Sequence, residues 1–369
     1  MTAYLAQIVA QANIRSLSLI GLSKNVGKTT TTNHLLETLL SGNLYRAEDL
    51  ALTSLGLDGE ATDALTGLPK PRYIPQAGLL VATTADLLKQ AEREGAQVEY
   101  LQQLPGRTAL GPVIVARVLQ TGHIVIAGPT LLRDLRSLLE RLQALGARLS
   151  IIDGAINRLG AAAPGMTDAC ILCTGASAAA TPELMARRTA DLMQRLSTRQ
   201  TQWTDAYYRK RSPHSRLYML DPDNEDGTSE SFSNVTGPIN EARWIVMHMQ
   251  AQQQPVYLLY GAFTEELSRA LLAQLPTHPA ASRAELIVED STKIFCHSAV
   301  LQRLSARGLD IRVAVPIRML AVTINPYTSE YECTPQRLLD ALVKELSSKH
   351  LPIIDVVSGY YLDEGHVTL

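Results

Sequence analysis

The sequence predicts an α/β fold, a mostly parallel sheet with flanking helices and some insertions. Apolar runs ending in a small or acidic residue alternate with helical patterns, as expected of parallel strands joined by crossover helices. A chain of 369 residues that is 46 % hydrophobic can bury a large core, as two lobes or one large sheet.

The elements follow in order. "MTAYLAQIVAQANIR" places Leu5, Ile8, Val9 and Ala12 at helical spacing, so a short amphipathic helix leads the chain. Leu17–Gly21 is the first strand and Lys28 to Leu40 the first long helix. The loop Ala51–Gln76, rich in Gly, Pro, Asp and Thr, is long for a connection, and such loops are usually functional or disordered. "AGLLVATTADLLKQA" gives a strand near Leu79–Thr83 and a helix with Thr84 as its N-cap. "GPVIVARVLQTGHIVIAGP" reads as two strands of a hairpin turning at Thr121-Gly122. A helix ended by Gly146 and a strand Leu149–Ile152 running into Asp153 come next. "MTDACILCTGAS" is a strand, and the helix after it has Thr181 as N-cap and Pro182 at its first position.

Residues 198–250 break the rhythm with the polar, acidic "LDPDNEDGTSESFSNVTGP", which reads as a surface loop or small insertion. Strand–helix alternation then resumes through "QPVYLLYGAFTEELSRALLAQL", "AELIVEDSTKIF", "HSAVLQRLSARGLDIRVAVP", "RMLAVTINP", "TPQRLLDALVKEL" and "LPIIDVVSG". The expected organisation is a core over 1–197, a variable insertion over 198–250, and a portion over 251–369 that completes the sheet or forms a second lobe.

Bulk composition excludes several function classes. Net charge is −2 with no basic block, and aromatics are 5 %, so neither a nucleic-acid surface nor an anionic-membrane surface is expected. The N-terminus lacks a cationic start before an apolar run, and no stretch reaches about 18 apolar residues. A cytoplasmic protein is the expectation. Cys170 and Cys173 form a C-x-x-C inside an apolar run that reads as a buried strand, where a redox or metal role has no support. No Ser-His-Asp arrangement or His-x-x-x-His pair appears, which excludes the usual zinc hydrolase pattern.

The stretch "SLSLIGLSKNVGKTTTTNHLL" carries the chemistry. A phosphate-binding loop needs a strand, a turn with inward-pointing amides, and a helix whose N-terminus faces the phosphates. Here Gly21, Asn25, Val26 and Gly27 make the turn, Lys28 reaches toward β- and γ-phosphates, and Thr29 supplies a hydroxyl for Mg²⁺, with Thr30 following. Five residues separate Gly21 from Gly27 where the common pattern has four. The predicted class is therefore a P-loop nucleotide hydrolase with a Rossmann-like three-layer fold, and its cofactors are ATP and Mg²⁺.

A carboxylate for the cation is expected at the end of a neighbouring strand, and Asp153 in "RLSIIDG" fits that place. Asp58 and Glu60 in "TSLGLDGE" are further metal candidates, or part of a solvated turn. Glu289, Asp290 and Lys293 in "VEDSTKIF" end a strand and face either a crevice or a surface ion-pair cluster. Asn325 in "TINPYTSEY" either reads an adenine edge or forms an Asn-Pro turn. The guanine-selective Asn-Lys-x-Asp pattern is absent, which favours ATP over GTP.

The five-residue spacing resembles dethiobiotin synthetase and its relatives, a branch that includes MinD/ParA-type ATPases and cobyrinate amidases. Members often act as dimers, so a homodimer is implied. The signature lysine of the MinD/ParA subgroup falls on Ser23 here, and Lys24 misses it by one. In order, "GLSKNVGKTTT", "TSLGLDGE", "TGLPKPRYI", "LLVATTADLL", "ALGPVIVARV", "GHIVIAGP", "SIIDGAINR", "TDACILCTGAS" and "VTINPY" are similar to the P-loop subunit encoded beside lysine 5,6-aminomutase and ornithine aminomutase. The resemblance covers roughly residues 14–360 and is weakest over 198–250. It implies a reactivase, a chaperone that uses nucleotide hydrolysis to expel damaged cobalamin from an adenosylcobalamin-dependent aminomutase, together with a second reactivase subunit. The alternative is a dethiobiotin-synthetase-like ligase, in which Lys70 and Arg72 of "TGLPKPRY" receive a substrate carboxylate.

Overall fold

A computed structural model of the chain describes residues 3–56, 72–105, 108–154, 159–209, 215–220, 237–251, 254–277, 283–327, 333–346, 351–363 and 366–368. Its elements are α1 (Tyr4–Gln11), β1 (Ser16–Gly21), α2 (Lys28–Ser41), β2 (Leu50–Leu55), β3 (Leu80–Thr84), α3 (Ala85–Arg93), β4 (Gln97–Gln103), β5 (Val113–Gln120), α4 (Leu132–Ala144) and β6 (Leu149–Gly154). Then come β7 (Ala169–Gly175), α5 (Pro182–Leu196), α6 (Thr204–Arg209), β8 (Leu217–Leu220), α7 (Pro238–Ala251), β9 (Val256–Leu259), α8 (Glu265–Gln274) and β10 (Ala284–Val288). The chain ends with α9 (Ser298–Ala306), β11 (Leu309–Val313), β12 (Met319–Asn325), α10 (Pro335–Glu345), β13 (Ile353–Ile354), β14 (Tyr361–Asp363) and β15 (His366–Thr368).

The fold is α/β, with a large, mostly parallel sheet flanked by helices in a Rossmann-like three-layer arrangement. Its strand order is β15-β14-β13-β12-β7-β1-β6-β2-β3-β5-β4. The stretch from β13 to β3 is parallel throughout, and the strands beyond it on both sides are antiparallel. β1, β2, β6 and β7 are buried along their whole length. Strands covered on both faces are mostly apolar, and most of the polar residues in these are small, among them Ser16 and Ser18, Thr53 and Ser54, and Ser150. At the edge, β4 ("QVEYLQQ") is mostly exposed and correspondingly polar.

The chain divides into two compact units, Met1–Thr189 with Arg318–Leu369, and Ala190–Ile317. The division differs from the 197 and 250 boundaries expected from composition. The portion after 250 is shared between the units, because β12 pairs with β7 in the large sheet. In the second unit β9, β10 and β11 run parallel and β8 pairs antiparallel with β9. Tyr257 and Leu259 of β9 belong to one cluster with Phe263, Leu267 and Leu286. Val256 and Leu258 belong to another with Tyr207 and Ile287, as the period of two requires. Arg216 grips both carboxylate oxygens of the buried Glu241 at 2.7 and 2.9 Å.

Two expectations are corrected. Residues 198–250 are not simply a loop, since α6, β8 and most of α7 lie within them. Their composition hid short elements between polar stretches, of which 221–236 falls outside the described residues. Nor does "GHIVIAGP" form a hairpin with β5. Both edges of β5 are already taken, by β3 and β4. The segment instead crosses the ends of β2 and β3, where Thr83 Oγ1 donates to the Val125 carbonyl and Ser54 Oγ accepts from Gly128 N at 2.9 Å. Among the described residues no helix is long and apolar enough to cross a membrane.

α4 seals one region of the large sheet. Its Leu135, Leu138 and Leu142 are fully buried against Ala51, Leu55, Ala82 and Ile152. Replacing Leu138 by Ala removes buried methyl groups and leaves a cavity, so Leu138→Ala is expected to cost about 2–5 kcal/mol. Urea unfolding should show this as a lower midpoint with an unchanged slope.

Candidate functional site

The carboxyl ends of β2, β6, β1, β7 and β12 lie side by side. Their register sets Ser54 beside Asp153, Leu19 beside Asp153, Gly21 beside Cys173, and Asn325 beside Gly175. Open α/β sheets bind ligands at such strand ends. β1 releases the chain there into the loop Leu22–Val26, and α2 starts at Lys28.

The loop is tied to the strands around it. Leu22 N donates to the Cys173 carbonyl at 3.0 Å, and Ser177 Oγ donates to the Lys24 carbonyl at 3.1 Å. Asn25 (φ 58°) and Gly27 (φ 84°) take left-handed conformations that reverse the backbone into the helix. Gly27 is the N-cap of α2 and offers no side-chain cap, and the first turn carries no acidic residue. The first-turn amides and the positive end of the helix dipole are thus left for an anion.

Lys28 folds back over the start of the loop. A Cβ on Gly21 would stand 2.9 Å from Lys28 Nζ, so a side chain there would push the ammonium from this place. Lys28 is 6 % exposed, and among the described residues no carboxylate forms an ion pair with it. Burial of an ammonium is costly unless an anion is near.

Asp153 is 2 % exposed at the end of β6, directly beside β1. Its Oδ2 accepts from Thr29 Oγ1 at 3.4 Å and from the hydroxyl of Tyr73. The expected acid and the expected hydroxyl are therefore together. Among the described residues no three His, Cys, Asp or Glu side chains gather as metal ligands. A cation here would be held by one carboxylate, one hydroxyl, and oxygens of phosphate and water, a set that suits Mg²⁺. The glycine cradle, the open helix start and this donor set fit a Mg²⁺-bound polyphosphate.

Asn325 approaches the loop from β12. Its Nδ2 donates to the Asn25 carbonyl at 2.9 Å, and its Oδ1 accepts from Tyr327 N at 3.1 Å. The second bond is the turn expected of Asn-Pro, and the first braces the loop, so both ends of the amide are engaged within the protein. Val26 is buried beneath the loop, whereas Thr30 is half-buried on the first turn of α2.

Asp58, Glu60 and Lys70 lie outside the described residues. Arg72, expected to receive a carboxylate, forms an ion pair with Glu94. In the second unit Asp290 is buried and accepts from Thr292 N at 2.7 Å, so it caps a short turn. Tyr73 is the residue that sequence reading passed over. It stands in the quoted "TGLPKPRY", but no motif marks a lone tyrosine as a partner of a metal acid.

Beneath the loop lies a buried polar layer. Thr31 Oγ1 and Thr323 Oγ1 are 3.0 Å apart, with Cys173 Sγ 4.0 Å from Thr31. Cys170 and Cys173 are both buried free thiols, as the strand reading expects. Burial pushes the Cys170 thiol up to about 12 and the Cys173 thiol up to about 11, the latter against the pull of Thr323 and Lys28. Neither is a thiolate near neutral pH, so neither is a nucleophile there.

The chain matches no protein-family model and no curated protein.

The thiols predict a pH dependence. An unfolded thiol titrates near 9.0, below both folded values. Stability from burying them is complete below pH 9 and falls as pH rises toward 11. The loss is on the order of 1 kcal/mol per thiol per pH unit. Denaturant unfolding between pH 8 and 10 should show a decline that the Cys170→Ala/Cys173→Ala variant flattens. An equal decline in that variant would assign the effect elsewhere.

Proposed function

We propose that the chain binds ATP with Mg²⁺ at the β1–α2–β6 site and hydrolyses it to drive a conformational change in a partner protein. The observation that carries the reading is Lys28, a buried ammonium folded over Gly21 at the open start of α2. A polyphosphate satisfies the ammonium and the first-turn amides together, as an isolated carboxylate would not. The choice of ATP rests on the missing Asn-Lys-x-Asp pattern.

Each residue then has a role. Amides of Gly27 to Thr30 donate to phosphate oxygens, and Lys28 offsets charge on the β- and γ-phosphates. Thr29 and Asp153 hold Mg²⁺, which neutralises phosphate charge when bound. Asn325, through Asn25, keeps the loop in shape for these contacts.

The partner is proposed on the resemblance alone. It is an adenosylcobalamin-dependent aminomutase, served by this chain as a cytoplasmic reactivase, as a homodimer or with a second subunit. Among the described residues nothing favours the ligase alternative, and Arg72 is paired with Glu94.

Phosphate release from ATP and Mg²⁺ tests the reading, with the protein alone, with a mutase, and with a panel of carboxylates. Stimulation by the mutase is expected, whereas stimulation by a carboxylate would replace the reactivase with the ligase. Lys28→Ala should weaken ATP binding about a hundredfold, the scale of one or two charge-assisted hydrogen bonds. Its circular dichroism should stay unchanged. An unchanged ATP affinity would remove Lys28 from this role.

A further inference from the structure

Tyr73 contacts the acid of the site from outside the loop and the strand that define it. Its hydroxyl donates to Oδ2 of Asp153, the oxygen that also accepts from Thr29. The other oxygen, Oδ1, is buried, and Oδ2 is the one beside Thr29, so a cation held by Thr29 and Asp153 together meets the acid at Oδ2. Two hydroxyl donors already occupy it. Thr29 keeps its donation when its own lone pair turns to a cation, because a hydroxyl donates and accepts at once. A carboxylate oxygen offers two lone pairs and both already take a hydroxyl donor, so a cation held with Thr29 takes the place of Tyr73 on Oδ2.

Arg72 pairs with Glu94, and further bonds fasten the segment around Tyr73. Tyr73 and Ile124 exchange backbone hydrogen bonds of 3.3 and 3.0 Å. Asn33 of α2 holds the residues on each side, donating to the Arg72 carbonyl at 3.0 Å and accepting from Ile74 N at 3.4 Å. Thr29 and Asn33 stand four residues apart, on one face of α2. One helix face thus presents both the hydroxyl on Asp153 and the amide that holds the Arg72–Ile74 strap. Tyr73 itself is 7 % exposed.

We propose that Tyr73 and Mg²⁺ compete for Oδ2 of Asp153, so that cation binding releases Tyr73 and loosens the Arg72–Ile74 strap. This deepens and rests on the ATP reading: the strap is the element through which the loaded site signals to a partner. Without the cation, the tyrosine hydroxyl stays on the carboxylate. With it, a full charge replaces a neutral donor.

The test uses the full chain and a fluorescent ATP analogue, with affinity measured in EDTA and in saturating Mg²⁺. The ratio of the two affinities is the coupling between cation and nucleotide. Tyr73→Phe keeps the ring and removes the competitor, so the ratio should rise about tenfold, the scale of one hydrogen bond to a charged group. Binding in EDTA should stay within about twofold, which also shows that the variant is folded. Hydrogen exchange gives a second readout. Adding Mg²⁺ to the nucleotide-bound protein should speed exchange at the Tyr73 and Ile124 amides, and Tyr73→Phe should exchange fast without it.

A lower or unchanged ratio in Tyr73→Phe overturns the competition while leaving the ATP reading intact. Absence of nucleotide binding by the unaltered protein overturns both.

Discussion

The parallel pairing of β1 with β6 on one side and β7 on the other is the constraint on which the site depends. It sets Leu19 opposite Asp153 and Gly21 opposite Cys173, so the loop leaves the sheet between the acid and the strand that holds its far side. The start of β1 is fixed as firmly. Asp168, just before β7, accepts from Arg15 N at 2.7 Å and Ser16 N at 3.0 Å, and Asp168 N in turn donates to Ser16 Oγ. A slip in this pairing would invert the faces of β1 and carry Gly21 away from Lys28.

Below the loop the core is polar where an ordinary core would be apolar. Thr31 of α2, Thr323 of β12 and Cys173 of β7 meet there, and Ser18 of β1 lies 3.1 Å from the hydroxyl of Thr167. Hydroxyls and a thiol in this layer dock α2 to the sheet through directional bonds rather than area alone. Directional bonds fix rotation about the helix axis, which packing of leucines tolerates more loosely. Since Lys28, Thr29 and Asn33 all project from α2, its rotation decides whether the ammonium, the hydroxyl and the strap-holding amide point to their places.

Legibility in the sequence followed burial. β1, β6 and β7 are covered on both faces, so their residues are mostly apolar and read as strands, whereas β2, with Thr53 and Ser54 in it, overlaps the stretch read as the loop Ala51–Gln76. β4 is exposed and polar, and nothing in "QVEYLQQ" sets it apart from a loop. The reading of Thr121-Gly122 as a hairpin failed because turn chemistry is local, whereas the edges of β5 were taken by strands distant in sequence. The same contrast divides the site. Gly21, Gly27, Lys28 and Thr29 lie close along the chain and act through the local geometry of a strand, turn and helix. Tyr73 meets Asp153 across 80 positions of sequence, and only the fold brings them together.

The extra residue in the loop has a physical consequence of its own. A longer turn between strand and helix has more backbone freedom, and its ordering costs more entropy. This chain offsets that cost with bonds to two other strands. Ser177, beyond β7, holds the Lys24 carbonyl, and Asn325, at the end of β12, holds the Asn25 carbonyl. Both anchors act on the added stretch between Gly21 and Gly27, and both come from the side of β1 away from Asp153. The longer loop is thus stiffened from one flank while the metal acid stands on the other. That asymmetry leaves the face toward Asp153, Thr29 and Tyr73 as the one on which contacts can change without undoing the loop.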